Sequence, residues 1–196
     1  MVKNMTIIYG GSFNPPTLAH YKIAKYILDK YPNSTLYFLP TNNFYAKENL
    51  NDFQYRLEML ELVVKRLGKR AKVSDFEGRL DKYYGTYYTL SHFPNSYFVM
   101  GADNFLTIKS WINYPNLIKD FKFIIIPREK IDLESFINND NELKKYKENF
   151  IILDDFKEID LSSTNFRKTK DYSLLLPEVA QYIKEKNLYK EIEDVL

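Results

Sequence analysis

The chain has 196 residues, enough for one well-cored domain, and its 45% hydrophobic and 28% charged content excludes a globally disordered polymer. A formal charge of +2 and a pI of about 8.4 are too mild to argue for a nucleic-acid partner, and the lack of cysteine excludes disulfides, thiolate metal sites and a cysteine nucleophile. No apolar run approaches the roughly 20 residues that span a bilayer, and residues 1–5 carry no signal-peptide core. The expected location is the cytoplasm, with no membrane partner.

Residues 6–9 (Thr-Ile-Ile-Tyr) read as a short buried strand, stopped by Gly10-Gly11. Beyond Pro15-Pro16, apolar residues at Leu18, Ile23, Ala24, Ile27 and Leu28 recur at helical spacing. Residues 35–39 are a second continuous apolar run, closed by Pro40. After a polar loop over 41–51, Asp52 is placed to cap a helix running to Leu67. Residues 72–74 are a weak third strand, and 96–100 a stronger one that leads into Gly101-Ala102-Asp103. Residues 123–126 are the clearest buried strand and end at Pro127-Arg128. Residues 150–153 follow, then a loop into Ser162-Ser163-Thr164.

Apolar strands alternating with amphipathic helices predict an α/β fold with a doubly wound parallel sheet. In such sheets ligands bind outside the carboxyl ends of the strands, where the strand order reverses. The polar segments 10–20, 101–103, 128 and 162–167 all follow a strand, so one mouth could hold them all. No linker, repeat or low-complexity tract divides the chain, and residues 1–196 are expected to form a single domain with a small helical part over about 163–196.

The turn Gly10-Gly11-Ser12-Phe13-Asn14-Pro15-Pro16 joins a buried strand to a helix. Two glycines remove Cβ atoms where a phosphate would approach backbone amides, and the helix start favours an anion. Thr17 and His20 are three residues apart, on one face of the first turn, where a hydroxyl and an imidazole can donate to phosphoryl oxygens. Taken alone, a Gly-Gly turn with a capped helix and a partly buried histidine is the plainer interpretation. The turn is neither a Walker loop nor a dinucleotide fingerprint. A second anion-friendly start lies at Ser162-Ser163-Thr164, with Arg167 one helical turn beyond Ser163. Two such starts at one sheet edge suit a polyphosphate. The basic stretch Lys65-Arg66, Lys69-Arg70 and Lys72 reads as a solvated helix end.

The stretch from Gly10 to His20 resembles the signature Gly-x-Phe-x-Pro-x-His/Thr-x-Gly-His of the nucleotidylyltransferase superfamily, and Ser162-Ser163-Thr164-Asn165-Phe166-Arg167 resembles its second, Ser-Ser-Thr-x-x-Arg. Gly101-Ala102-Asp103-Asn104, Trp111, Arg128 and the tail through Leu188-Tyr189 are similar to the bacterial nicotinate-nucleotide adenylyltransferases. The resemblance runs in order from residue 7 to residue 189. It implies a Rossmann-like fold and attack of nicotinate mononucleotide on the α-phosphorus of ATP, with magnesium accompanying the ATP. The products would be deamido-NAD and pyrophosphate.

By the same resemblance, Gly10, Gly11, Ser12 and Phe13 would bind ATP through their backbone. His20, assisted by Thr17, would contact the α- and β-phosphates. Ser162, Ser163, Thr164 and Arg167 would hold the leaving pyrophosphate, with His20, Thr17 and Arg167 as the catalytic set. Gly101, Asp103 and Arg128 complete the ATP site, Asp103 on a ribose hydroxyl. Lys47, Thr86, Asp103 and Trp111 would form the mononucleotide site, the indole stacking on the pyridine ring. No protein metal ligands are implied, and a homo-oligomer is compatible with the sequence. His92, before Phe93-Pro94, reads as structural.

The sequence departs from the pattern at four places. Thr17 stands for the usual first histidine, Ala19 for glycine and Asn14 for aspartate, and the Lys47 loop lacks the usual Pro-Pro-His. Threonine at 17 is typical of phosphopantetheine adenylyltransferases, which makes that activity one alternative. A non-catalytic nucleotide-sensing module is the other.

Overall fold

The computed structural model describes residues 4–44, 50–128, 131–156 and 162–190. In chain order these form β1 (Met5–Gly11), α1 (Leu18–Lys30), β2 (Ser34–Pro40), α2 (Phe53–Leu67), β3 (Ala71–Val73), α3 (Thr86–Ser91), β4 (Ser96–Gly101), α4 (Ala102–Leu106) and α5 (Asn116–Asp120). They continue with β5 (Lys122–Ile126), α6 (Leu133–Asn138), α7 (Asn141–Lys145), β6 (Phe150–Ile152), α8 (Ser163–Thr169) and α9 (Pro177–Glu185). The six strands form one sheet in the order β3-β2-β1-β4-β5-β6, every neighbouring pair parallel. All six expected strands are present. The order reverses between β1 and β4, so the expected mouth lies at their carboxyl ends.

Continuous apolar strands follow from a sheet covered on both faces. Along β1, Ile7 and Tyr9 enter the core on one face, and Ile8 enters the other. Along β4, Val99 joins the first core, and Phe98 and Met100 the second. In β5, Ile124 and Ile126 part from Phe123 and Ile125 in the same way. Each such buried side chain contributes about 1.5–3 kcal/mol, so neither set can be polar. The short β3 pairs only with β2, at the sheet edge, and buries Ala71 alone. That explains its weak signature.

Asp52 occupies the expected N-cap position of α2, but its side chain makes no capping hydrogen bond. The helix is held instead by its buried stripe of Arg56, Met59, Leu60, Val63 and Val64. The C-terminal helical part packs on the same side of the sheet, with Phe166, Leu174, Val179, Ile183 and Leu188 in the first core. Tyr182 bonds Glu58, and Arg66 pairs with Glu178 at 3.1 Å, so α9 is docked on α2. The basic stretch that includes Arg66 is thus partly tied down: Arg70 Nη1 also donates to the Leu28 carbonyl at 2.7 Å.

Candidate active site

A cavity of about 720 Å³ opens at the carboxyl ends of β1, β4 and β5. One side of its wall is the β1–α1 turn, Gly10 to Phe13, with His20 beside it. Gly101, Asp103, Arg128 and Ser162 to Thr164 also line it, and so do Thr86, Glu77 and Trp111. The segments expected at one mouth therefore share one cavity.

The β1–α1 turn is fixed by its carbonyl groups. Gly11 O accepts from Thr41 N–H at 3.0 Å, and Ser12 O from Arg56 Nη1 at 2.8 Å. Asn14 O accepts from Arg167 Nη1, and Pro15 O from Ser163 Oγ, both at 2.7 Å. In a planar trans peptide the C=O and the next N–H point in opposite directions. Anchoring Gly11 O and Ser12 O on the β2–α2 side therefore turns the Ser12 and Phe13 amides the other way. Phe13 has φ of 45°, in the left-handed region where a bulky residue is strained. Its ring holds it there, buried edge-on to Tyr9 and Phe38 with centroids 5.5 and 5.4 Å away. Asn14, 1% exposed, completes the turn: its Oδ1 accepts from Asn51 N–H at 3.2 Å and Tyr189 Oη at 2.8 Å. Accepting those bonds needs only an oxygen, which is why asparagine serves where aspartate is usual.

Both glycines of the turn line the cavity and also meet a packing need. A Cβ on Gly10 would stand 2.5 Å from the Phe98 ring, and one on Gly11 would stand 3.1 Å from the Phe13 ring. Gly10, which lines the cavity, is required by packing within its own sheet. At Gly101 an added Cβ would meet no protein atom within 4 Å.

Thr17 is the N-cap of α1 and is 1% exposed. Its backbone N–H donates to His20 Nδ1 at 2.9 Å, and its hydroxyl lies 3.0 Å from the same nitrogen. An Nδ1 that accepts from a backbone amide carries no proton, so in the neutral ring the proton sits on Nε2. Thr17 is not among the residues that line the cavity. It fixes the tautomer and orientation of His20, which is.

Arg167 is likewise not in the wall. Its guanidinium bridges Asn14 O and Thr164 Oγ1, the latter at 3.1 Å, and thereby ties α8 to the first turn. Ser162 caps α8 by accepting from Asn165 N–H at 3.0 Å. Asp103 and Arg128 form an ion pair at 2.7 Å across the cavity rim. Both side chains are substantially exposed, so the pair adds at most about 1 kcal/mol of stability and can yield to a ligand. Lys47 lies outside the described residues. His92 packs on Phe76 and Tyr88, away from the cavity.

Trp111 is half-buried, edge-on to Phe98 with centroids 6.4 Å apart. It sits at the margin of the second core and lines the cavity, as Thr86 does. Trp111→Ala should raise the Michaelis constant for the acceptor roughly tenfold or more, the scale of one lost aromatic contact, with that for ATP little changed. A rise confined to ATP would contradict this placement, and initial-rate kinetics in both substrates checks it.

Glu77 was not singled out by its sequence context. It is 3% exposed, lines the cavity, and takes the Thr89 hydroxyl on Oε1, while Oε2 has no hydrogen-bond partner among the described residues. Burial pushes its carboxyl above the ordinary value of 4.5, against the opposing pull of the Thr89 hydroxyl and the Asn42 amide. A raised folded-state pKa means that the fold prefers the protonated form. Its contribution to stability is then fully present below 4.5 and is lost as pH rises through the folded value. Glu77→Gln should flatten that loss, and melting temperatures across the range would show it. Parallel pH profiles for both proteins would refute it.

A sequence family described as cytidylyltransferase-like matches residues 8–169. The chain belongs to the cytidylyltransferase-like family. As a member of it, the protein is a nucleotidyltransferase, and two curated relatives that resemble it share a name. A "Probable nicotinate-nucleotide adenylyltransferase" of Acholeplasma laidlawii is 33% identical over 196 residues, spanning 96% of this chain and 100% of that one. One of the same name from Carboxydothermus hydrogenoformans is 32% identical over 195 residues, spanning 93% and 96%. The fold of this nucleotidyltransferase is similar to that of Plasmodium falciparum nicotinic acid mononucleotide adenylyltransferase complexed with NaAD. The TM-score is 0.77 at 24% identity, over 95% of this chain and 98% of that one. No helix among the described residues is long and apolar enough to cross a membrane.

Proposed function

We propose that the protein transfers the adenylyl group of ATP to nicotinate mononucleotide, a step of NAD synthesis. The 5′-phosphate oxygen of the mononucleotide attacks the α-phosphorus. The bond from that phosphorus to the α–β bridging oxygen breaks, and pyrophosphate leaves with the electron pair. The products are deamido-NAD and pyrophosphate. The names of the relatives support this acceptor.

The observation that carries the reading is His20. With Nδ1 occupied by Thr17, its Nε2–H is a fixed donor at the wall of a cavity lined by the Gly11 to Phe13 backbone. Phosphoryl transfer asks little covalent chemistry of the protein; positioning and charge stabilisation supply the rate. His20 and the Ser12 and Phe13 amides donate to the α- and β-phosphates. Ser163 and Thr164 hold the leaving pyrophosphate, and Arg167 fixes the turn and adds positive charge behind it. Asp103 takes a ribose hydroxyl, with Gly101 and Arg128 beside it. Thr86 and Trp111 hold the pyridine ring, and Lys47 the mononucleotide phosphate. Magnesium arrives with ATP as part of the substrate. The protein acts in the cytoplasm.

Thr17 was the feature that favoured phosphopantetheine as the acceptor. Its hydroxyl lies 3.0 Å from His20 Nδ1, which gives threonine a use at this position whichever acceptor is bound. Incubation with magnesium-ATP and each of nicotinate mononucleotide, nicotinamide mononucleotide and phosphopantetheine separates the readings by pyrophosphate release. Nicotinate mononucleotide is the expected substrate. Turnover of phosphopantetheine alone would sink the assignment, and tight ATP binding with no turnover would favour a sensor.

A further inference from the structure

Arg56 is 0% exposed, yet no carboxylate pairs with it among the described residues. Its partners are neutral oxygens from three segments. Nη1 donates to Ser12 O at 2.8 Å and Nε to Asn51 O at 2.9 Å. Nη2 donates to Thr41 O at 2.7 Å and to Asn43 Oδ1 at 2.8 Å. Burial pushes the guanidinium down to about 10, which still leaves it charged at neutral pH, and Asp52 exerts only a lesser pull. A buried charge is normally paired, because leaving water costs several kcal/mol. Here its hydrogen bonds are satisfied, but no carboxylate among the described residues forms an ion pair with it.

The place of that charge gives it a use. Arg56 Nη1 binds the carbonyl of the peptide whose amide belongs to Phe13, in the turn that lines the cavity. A cation on the oxygen end of a peptide draws electron density from its N–H end and makes that amide a stronger donor. We propose that Arg56 is a positioning residue whose counter-charge is the ATP polyphosphate, reached through the Ser12–Phe13 peptide. This rests on the β1–α1 turn being the ATP phosphate site. The polyphosphate then supplies the counter-charge that no ion pair among the described residues supplies, and the same side chain clamps the turn to the exit of β2 and the start of α2.

Steady-state kinetics of the wild type, Arg56→Lys and Arg56→Gln tests this. Arg56→Gln keeps part of the hydrogen bonding and removes the charge. It should raise the Michaelis constant for ATP about tenfold or more while that for nicotinate mononucleotide changes less than about threefold. Arg56→Lys keeps the charge and loses the fork, and should stay within about threefold of the wild type for ATP. Equal impairment by Lys and Gln, or equal rises for both substrates, would reduce Arg56 to a hydrogen-bonding strut and overturn the proposal. Should Arg56→Gln not fold, wild-type NMR decides. The Arg56 Nε–H and Phe13 amide resonances should both shift with inorganic tripolyphosphate and not with adenosine; an unmoved Arg56 resonance overturns the proposal. Wild type that releases no pyrophosphate from ATP and nicotinate mononucleotide would overturn the functional reading, and this inference with it. Turnover with an altered pattern overturns this inference alone.

Discussion

Replacing His20 by alanine is expected to lower kcat about 10²- to 10³-fold and leave the Michaelis constant for ATP within about threefold. The size follows from removing one preorganised donor from a centre where charge develops, worth about 2.7–4 kcal/mol in the transition state. The split between kcat and KM follows from geometry. Nδ1 is held by the Thr17 amide and hydroxyl, so the ring needs no reorganisation when the α-phosphorus becomes five-coordinate. Its bond strengthens as charge accumulates, and the ground state gains less. Initial rates over a range of ATP concentrations give both constants. Equal losses in kcat and in ATP affinity would show that His20 only binds substrate.

Arg167→Ala should have the second large effect, through two routes that can be told apart. The first is structural. Asn14 is buried, and without Arg167 Nη1 its carbonyl loses its donor, at a cost of about 1–3 kcal/mol. The second is electrostatic: a cation held behind the first turn is lost as pyrophosphate departs. Together they should lower kcat/KM about 100-fold or more. Arg167→Lys can supply one donor to Asn14 O but not the second arm to Thr164, so it should recover melting temperature more fully than activity. Thermal melts beside kinetics on the same preparations make the comparison. Recovery of both to the same degree by lysine would leave Arg167 as a loop tie with no special part in the chemistry.

The layered fold was legible because burial on both faces demands it. A parallel strand under helices on either side shows as an unbroken apolar run, as in 123–126, where successive residues enter opposite cores. The edge strand β3 was faint for the same reason, since only Ala71 is buried. The carboxyl-end rule placed residues 10–20, 101–103, 128 and 162–167 at one mouth, and the cavity there is lined by Gly10 to Phe13, His20, Gly101, Asp103, Arg128 and Ser162 to Thr164. Individual roles were less legible, because sequence spacing tells where a side chain sits and not what it bonds. Spacing placed Thr17 and Arg167 near the first turn but did not show that one lies against His20 Nδ1 and the other donates to the Asn14 carbonyl. Nor did it show that Gly10, which lines the cavity, also makes room for the Phe98 ring.

Arg56 had a signal that went unused. It falls at helical spacing within the apolar stripe of α2, between Phe53 and Met59-Leu60. A charge at such a position must be satisfied by something the helix alone does not supply. Glu77 had no comparable signal, since its burial depends on a 3₁₀ turn meeting α3 and the exit of β2. Asn14 was visible only as a departure from the usual aspartate; its two acceptor bonds come from residues 37 and 175 positions away. Contacts of that separation leave no local mark.

The central claim is adenylyl transfer from ATP to nicotinate mononucleotide at this cavity, and isotope partition tests it most directly. ATP labelled at the α-phosphorus, incubated with magnesium and nicotinate mononucleotide, should place its label in a dinucleotide. ATP labelled at the γ-phosphorus should place its label in pyrophosphate. His20→Ala should slow both in proportion. A γ-label found on the acceptor, or an α-label that never enters a dinucleotide, would contradict the account.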